Sequence, residues 1–188
     1  RRLLLPLVLI LVGCERFDHT EALRTLANDR ERIQAVGDEF VSRIPGDHVV
    51  TVEFNGRRTV DFHVAVRGAS WDDPKRVQVW DVSETHPEVT RGLAMLGWTL
   101  DDLRALRTEV RSAGGIGISG PLAGGGFRLR HKRVGMGMYT FVLADKAMVA
   151  DSLLGFDGCS VYYIDAHTAM EYGGGAVGSD CMPPPETW

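Results

Sequence analysis

Residues 49–66 read VVTVEFNGRRTVDFHVAV, and this stretch decides the fold class. Apolar and polar residues alternate over 50–54 and again over 60–66, on either side of Asn55-Gly56. Alternation with a period of two is typical of a strand that buries one face. An Asn-Gly pair between two such runs is typical of a tight turn in which both residues have positive φ. The stretch therefore predicts a β-hairpin.

Helical patterns lie on both sides of this hairpin. Over 18–44 apolar residues recur at intervals of three, four and seven, and Pro45-Gly46 ends the pattern, which predicts one long helix. Shorter helices are predicted over 86–96 and after Thr99, where Thr99 and Asp102 have the spacing of a capping box. The long helix could cover a sheet or bind a partner as a coiled coil. Its apolar repeat is short and irregular, which favours the first interpretation.

The rest of the chain predicts more strands. Alternating or apolar runs predict strands over 76–82, 116–119, 127–133, 138–144, 160–165 and 167–172, and a short helix over 146–154. Strands in runs, with the helices segregated from them, predict an α+β fold in which the long N-terminal helix packs on a twisted antiparallel or mixed sheet. We expect one domain over 14–188, with an alternative boundary near 114–126.

Composition excludes two broad classes. Of the 188 residues, 44% are hydrophobic and 24% are charged, which is typical of a globular chain and not of a disordered one. The formal net charge of −4 provides no basic excess for general binding to phosphate backbones. We therefore expect no nucleic-acid partner.

The first fourteen residues, RRLLLPLVLILVGC, have the layout of a signal peptide. Two arginines precede an apolar block that is shorter than the roughly 20 residues of a membrane-spanning helix. Residues 11–14, LVGC, resemble the lipobox of bacterial lipoproteins, and the resemblance covers residues 1–14 only. It implies that residues 1–13 are a signal peptide, that cleavage precedes Cys14, and that the lipidated Cys14 anchors the protein in the membrane of the cell envelope. Glu15 follows where an inner-membrane signal would have Asp, so in a Gram-negative host we expect the periplasmic face of the outer membrane.

The two other cysteines, Cys159 and Cys181, are candidates for a disulfide. Two cysteines in an exported chain are typical of one structural bridge. Two free thiols or a redox pair are the alternatives, although the spacing excludes a CxxC motif.

A basic run, RLRHKR over 128–133, is the main candidate for ligand binding. In a regular strand Arg128, Arg130 and Lys132 share one face, where they could bind phosphate, carboxylate or acidic glycans. Trp71 and Trp80 could add a platform on which a sugar ring stacks. The alternatives are a solvated outer face for the basic residues and a core position for the tryptophans.

Two Asp-x-His pairs are weak metal candidates. Asp61 and His63, and likewise Asp165 and His167, are two residues apart and share a strand face. Four ligands would converge on a zinc-like ion if the two strands were neighbours. If they are not, both pairs lie on a solvated face. We expect no metal and no cofactor.

No catalytic or nucleotide-binding motif fits its context. Residues 115–120, GIGISG, match G-x-G-x-x-G, but a helix is predicted before them and Pro121 follows, whereas a dinucleotide site needs a strand before and a helix after.

The leading hypothesis is a non-enzymatic envelope lipoprotein that binds another envelope protein, which predicts a wide exposed apolar patch. The alternatives are a binding module for a small anionic or glycan ligand, with a pocket of Trp and Arg, and an envelope hydrolase, with buried Asp and His that converge.

Overall fold

A computed structural model of the chain describes residues 19–70, 72–134, 137–157 and 160–173. The described residues form three α-helices, one short 3₁₀ turn and nine strands. The helices are α1 (His19–Ser42), α2 (Pro87–Leu96) and α3 (Leu100–Ser112). The strands are β1 (His48–Glu53), β2 (Thr59–Val66), β3 (Arg76–Ser83), β4 (Gly117–Gly120), β5 (Phe127–Val134), β6 (Gly137–Leu143), β7 (Gly155–Asp157), β8 (Val161–Asp165) and β9 (Thr168–Gly173).

The nine strands form one sheet in the order β3-β2-β1-β4-β5-β6-β9-β8-β7. Each neighbouring pair is antiparallel, so the α+β prediction is confirmed and its sheet is antiparallel, not mixed. β4 pairs with β1 on one side and with β5 on the other, so the sheet continues through the 114–126 region.

The helices bury their apolar stripes against one face of this sheet. In α1 the buried positions include Ala22, Leu26, Ile33 and Phe40, spaced as the sequence pattern predicts for a helix that covers a sheet. Gly37 lies against the ring of Phe127 on β5, so close that a Cβ at this position would overlap the ring. Burial of this shared core is the main source of stability.

Local capping explains where α2 and α3 begin. Pro87 is the first residue of α2, and His86 before it accepts a hydrogen bond at Nδ1 from the backbone N–H of Glu88. Thr99 and Asp102 form the predicted capping box at the start of α3, in which each side chain accepts a hydrogen bond from the other residue's backbone N–H. No described helix has the length and apolar content to cross a membrane.

Two predictions of local structure were wrong, and one strand was not predicted. Strands β1 and β2 do pair as a hairpin, but Asn55 and Gly56 lack positive φ, and residues 54–58 form a longer loop instead of a two-residue turn. The strand register explains the longer loop, because it pairs Glu53 with Asp61, whereas a two-residue turn at Asn55-Gly56 would need Phe54 opposite Arg57. Within the loop, Nδ2 of Asn55 donates to Oδ1 of Asp61 at 2.5 Å. The helix predicted over 146–154 is only a 3₁₀ turn at Asp151–Leu153, and the sequence did not predict β7.

Candidate ligand-binding site

The sheet face opposite the helices is polar. On the helix-covered side, core residues pair across neighbouring strands: Val52 pairs with Ile118, and Ile118 pairs with Leu129. The alternate positions point the other way, because successive residues of a strand face opposite sides. We call this second side the polar face; its residues include Thr51, Glu53, Asp61, His63, Ser119, Arg128, Arg130, Thr140 and Glu171.

A buried carboxylate lies at the centre of the polar face. Glu53, the last residue of β1, is 1% exposed. Arg130 donates from Nη1 to its Oε2 at 2.6 Å, and Arg133 donates from Nε to Oε1 at 2.6 Å and from Nη2 to Oε2 at 2.8 Å. The carboxylate beside Arg133 raises the pKa of that guanidinium. Two guanidiniums thus stabilise one buried negative charge, and both are held in place by it.

Gly117 allows this network to form across β4. In the strand register Glu53, Gly117 and Arg130 lie side by side on three adjacent strands. A Cβ on Gly117 would lie 2.5 Å from the backbone oxygen of Val52 and 3.2 Å from Cδ of Arg130. Because glycine has no side chain, the arginine can pass over β4 to reach the carboxylate. The passage of Arg130 over β4 is a structural reason for the glycine at position 117 of the G-x-G-x-x-G match. Gly117 begins strand β4, which follows helix α3.

A β-bulge in β5 changes which basic side chains reach the polar face. The register shifts between Arg130 and Lys132, so Lys132 pairs with Tyr139, which belongs to the hydrophobic core. Directly paired residues share a face, so Lys132 lies on the helix-covered side. The prediction that Arg128, Arg130 and Lys132 share one face is wrong at Lys132, and Arg133 takes its place because a bulge adds one residue to one strand.

Arg128 is held by a second carboxylate. Its Nε donates to Oε2 of Glu171 on β9 at 3.0 Å, and its Nη2 donates to Oε1 at 3.3 Å. Both side chains are partly exposed, at 42% and 30%, so this pair is screened by water more than the Glu53 network is.

Asp61 has a structural role. A bulge between Val60 and Phe62 interrupts the pairing of β2 with β3 at this residue. Oδ1 of Asp61 accepts hydrogen bonds from the Asn55 side chain and from the backbone N–H of Asp81, which has the left-handed φ of 45°. The carboxylate thereby fixes the loop after β1 and the irregular part of β3.

These groups surround a cleft that we call the arginine cleft. It has a volume of about 490 Å³ and is lined by Asp61, Trp80, Ser119, Arg128, Arg130, Arg133, Met138, Thr140 and Gly173. A second hollow of about 640 Å³ adjoins it and shares Asp61, Trp80 and Arg133 with it. Trp80 is 62% exposed, so it is a surface tryptophan at the junction of the two hollows and not a core residue.

Other predicted site residues lie elsewhere or outside the described residues. Cys14, Trp71, Cys159 and Cys181 are among the residues that the structure does not describe, so the lipid attachment, the disulfide and the Trp71 platform remain predictions. The two Asp-x-His pairs do not meet, since five strands separate β2 from β8. Oδ2 of Asp165 accepts from Arg30 on α1 at 2.8 Å, and Oδ1 accepts from the backbone N–H of His167.

The convergence of the four metal candidates, which required neighbouring strands, is therefore wrong. In the described part of the chain, no three His, Cys, Asp or Glu residues are arranged to hold a metal ion. His63 lies on the polar face, where burial, together with the charges of Arg76 and Arg130, lowers the pKa of its imidazole. A neutral imidazole adds no positive charge to the neighbourhood of the arginine cleft.

The fold is thus an α+β domain whose sheet carries helices on one face and a cleft on the other. Comparison of the chain with protein-family models, curated proteins and solved structures finds no match. The contacts within the cleft therefore bear most directly on function.

Proposed function

We propose that this chain is a lipid-anchored binding protein of the bacterial cell envelope, without catalytic function, and that its arginine cleft takes an anionic ligand. The observation that supports the ligand is the convergence of Arg128, Arg130, Arg133 and Trp80 on one cleft. The lipobox-like residues 11–14 support the anchor, and Glu15 supports the outer-membrane location in a Gram-negative host.

The three guanidiniums retain donors for a ligand. A guanidinium carries five N–H donors in a fixed planar geometry. Arg130 donates one hydrogen bond to Glu53, whereas Arg128 and Arg133 donate two each to their carboxylates. Donors that are already fixed in place lose little conformational freedom when a carboxylate or phosphate binds.

An envelope protein as the partner is the second candidate. It predicts a wide apolar patch, and the described residues expose three large hydrophobic side chains, Trp80, Leu153 and Leu154. Trp80 belongs to the cleft, and two leucines make a small patch. The described surface therefore favours the anionic ligand over a protein partner.

Arg128→Gln is the most suitable variant for a test. Arg130 and Arg133 neutralise the buried Glu53, so their loss threatens the fold, whereas the partner of Arg128 is partly exposed. Arg32→Gln on α1 is the matched control, because it makes the same change on an exposed residue away from the cleft.

The test is isothermal titration of the detergent-solubilised full-length protein with inorganic phosphate, citrate and glucuronate. We expect at least one anion to bind, roughly tenfold weaker binding in Arg128→Gln, and unchanged binding in Arg32→Gln. Binding of none of the three, or binding that Arg128→Gln leaves unchanged, would overturn the proposal.

A further inference from the structure

We infer that the ligand of the arginine cleft is a carboxylated oligosaccharide, an inference that rests on the proposed anion-binding function. The cleft joins a surface tryptophan, guanidinium groups and hydroxyl-bearing side chains within one site. Each of the three recognises a different part of an acidic sugar.

Charge balance at the cleft favours a single carboxylate over a polyanion. Arg128, Arg130 and Arg133 contribute three positive charges, while Glu53, Asp61 and Glu171 contribute three negative ones, each within 4 Å of one of the arginines. The net charge of these six side chains is therefore zero. The cleft thus lacks the excess positive potential that attracts polyphosphates or nucleic acids. Oriented N–H donors without excess charge fit one carboxylate in a planar, bidentate geometry.

Trp80 supplies a surface for the apolar side of a sugar ring. Its indole is 62% exposed although it adjoins a polar cleft, and it belongs to β3 at the edge of the sheet. A large exposed aromatic ring beside polar groups is typical of a surface that covers a ligand with both apolar and polar sides. A pyranose ring has such sides, since its C–H groups form one face and its hydroxyls lie around the rim.

Hydroxyl groups line the cleft between the charged residues. In the strand register Ser119 pairs with Arg128, and Thr140 pairs with Arg130. A hydroxyl can both donate and accept a hydrogen bond, which suits the hydroxyls of a sugar. Simple carboxylic acids would leave these positions to water.

The two adjoining hollows favour an oligosaccharide over a single sugar. Trp80, Asp61 and Arg133 line both hollows, so one stacked ring at Trp80 would have neighbours on either side. The cleft side supplies Arg128 and Arg130 for the carboxylate of one unit. The second hollow accommodates the next unit of the chain.

The experiment is calorimetric titration of the detergent-solubilised full-length protein with glucuronosyl-xylobiose, a trisaccharide with one carboxylate, with its methyl ester and with inorganic phosphate. We expect the acidic trisaccharide to bind, and binding to weaken roughly tenfold or more for the methyl ester, which has lost the negative charge. Trp80→Ala should weaken binding of the acidic trisaccharide by a similar factor. Leu153→Ala, which truncates another exposed apolar side chain, should not change it.

The outcomes separate this inference from the proposed function. Equal affinity for the acid and its methyl ester, or unchanged binding in Trp80→Ala, would overturn the carboxylated oligosaccharide. Binding of phosphate alone, lost in Arg128→Gln, would overturn it as well, but would leave the anion-binding function standing. If Arg128→Gln changes the binding of no probe, both proposals fail.

Discussion

Glu53 shows how the chemistry of a single residue organises the polar face. Within 50–54 it occupies a position that alternates with valines, so the sequence predicts a polar side chain on the outer side of a strand. The structure buries that side chain to 1% exposure between two guanidiniums. Its partners lie 77 and 80 positions away, and a local pattern carries no information about contacts at such separations.

Glu53→Gln should therefore destabilise the protein more than the same change at another carboxylate. It removes the charge that offsets Arg130 and Arg133 while keeping the shape of the side chain. Breaking a buried ion pair in this way costs about 3 kcal/mol of unfolding free energy.

Glu171→Gln is the matched control, because Glu171 pairs with Arg128 at a partly exposed position. There we expect a loss of about 0.5 kcal/mol. Urea denaturation of both variants measures the difference. Equal losses would mean that the buried network contributes no more than a surface pair.

At the level of the element, local patterns predict most strands but not their irregularities. Period-two alternation correctly predicts β3, β5 and β6, and the Thr99 capping box correctly predicts the start of α3. The bulge in β5, by contrast, depends on how Lys132 and Arg133 meet the neighbouring strand. A bulge is a property of a strand pair and not of one strand. The alternation in β5 alone therefore predicted Lys132 on the polar face, where the structure has Arg133.

Gly117→Ala should destabilise the protein through β4. The added Cβ would lie 2.5 Å from the backbone oxygen of Val52, and the backbone of a central strand cannot easily move away. We expect a loss of about 2 kcal/mol of unfolding free energy, within the range found for overpacked sites.

Gly46→Ala provides the control, since a Cβ there would have no atom within 4 Å. Thermal unfolding of both variants is the measurement. A Gly117→Ala protein as stable as Gly46→Ala would contradict the close approach of β4 to β1.

At the level of the whole molecule, the sequence predicts the fold class but not the strand order. β1 lies between its hairpin partner β2 and the distant β4, which begins 64 residues after β1 ends. Such pairings depend on the packing of the complete core. The cleft also depends on the fold of the whole sheet, which brings Trp80 of the edge strand β3 near the arginines of β5.

The lipid anchor is a prediction about the whole protein. We expect a clickable fatty acid supplied to the native host to label the wild-type protein, because Cys14 carries the thiol of the lipobox-like sequence. Cys14→Ser should lose the label, and Cys159→Ser should keep it. A label that persists in Cys14→Ser would reject the anchor.

The predicted bridge between Cys159 and Cys181 has its own test. Mass spectrometry of the exported protein should show two hydrogens fewer than the fully reduced chain, and reductant should restore them. Closing a loop of roughly 20 residues contributes about 3 kcal/mol in the chain-entropy model, so reduction should also lower the melting temperature. Free alkylation of both thiols before reduction would reject the bridge.

The most direct test of the central claim is to observe the arginines of the cleft while an anion binds. The measurement is an NMR titration of the arginine Nε–H signals of the full-length protein with glucuronate, and with glucose as the neutral control. We predict that glucuronate shifts the signals of Arg128, Arg130 and Arg133 while that of Arg32 on α1 stays in place, and that glucose shifts none of the four. Shifts confined to arginines outside the cleft, or no shift with glucuronate at saturating concentration, would contradict the assignment of the arginine cleft as the binding site.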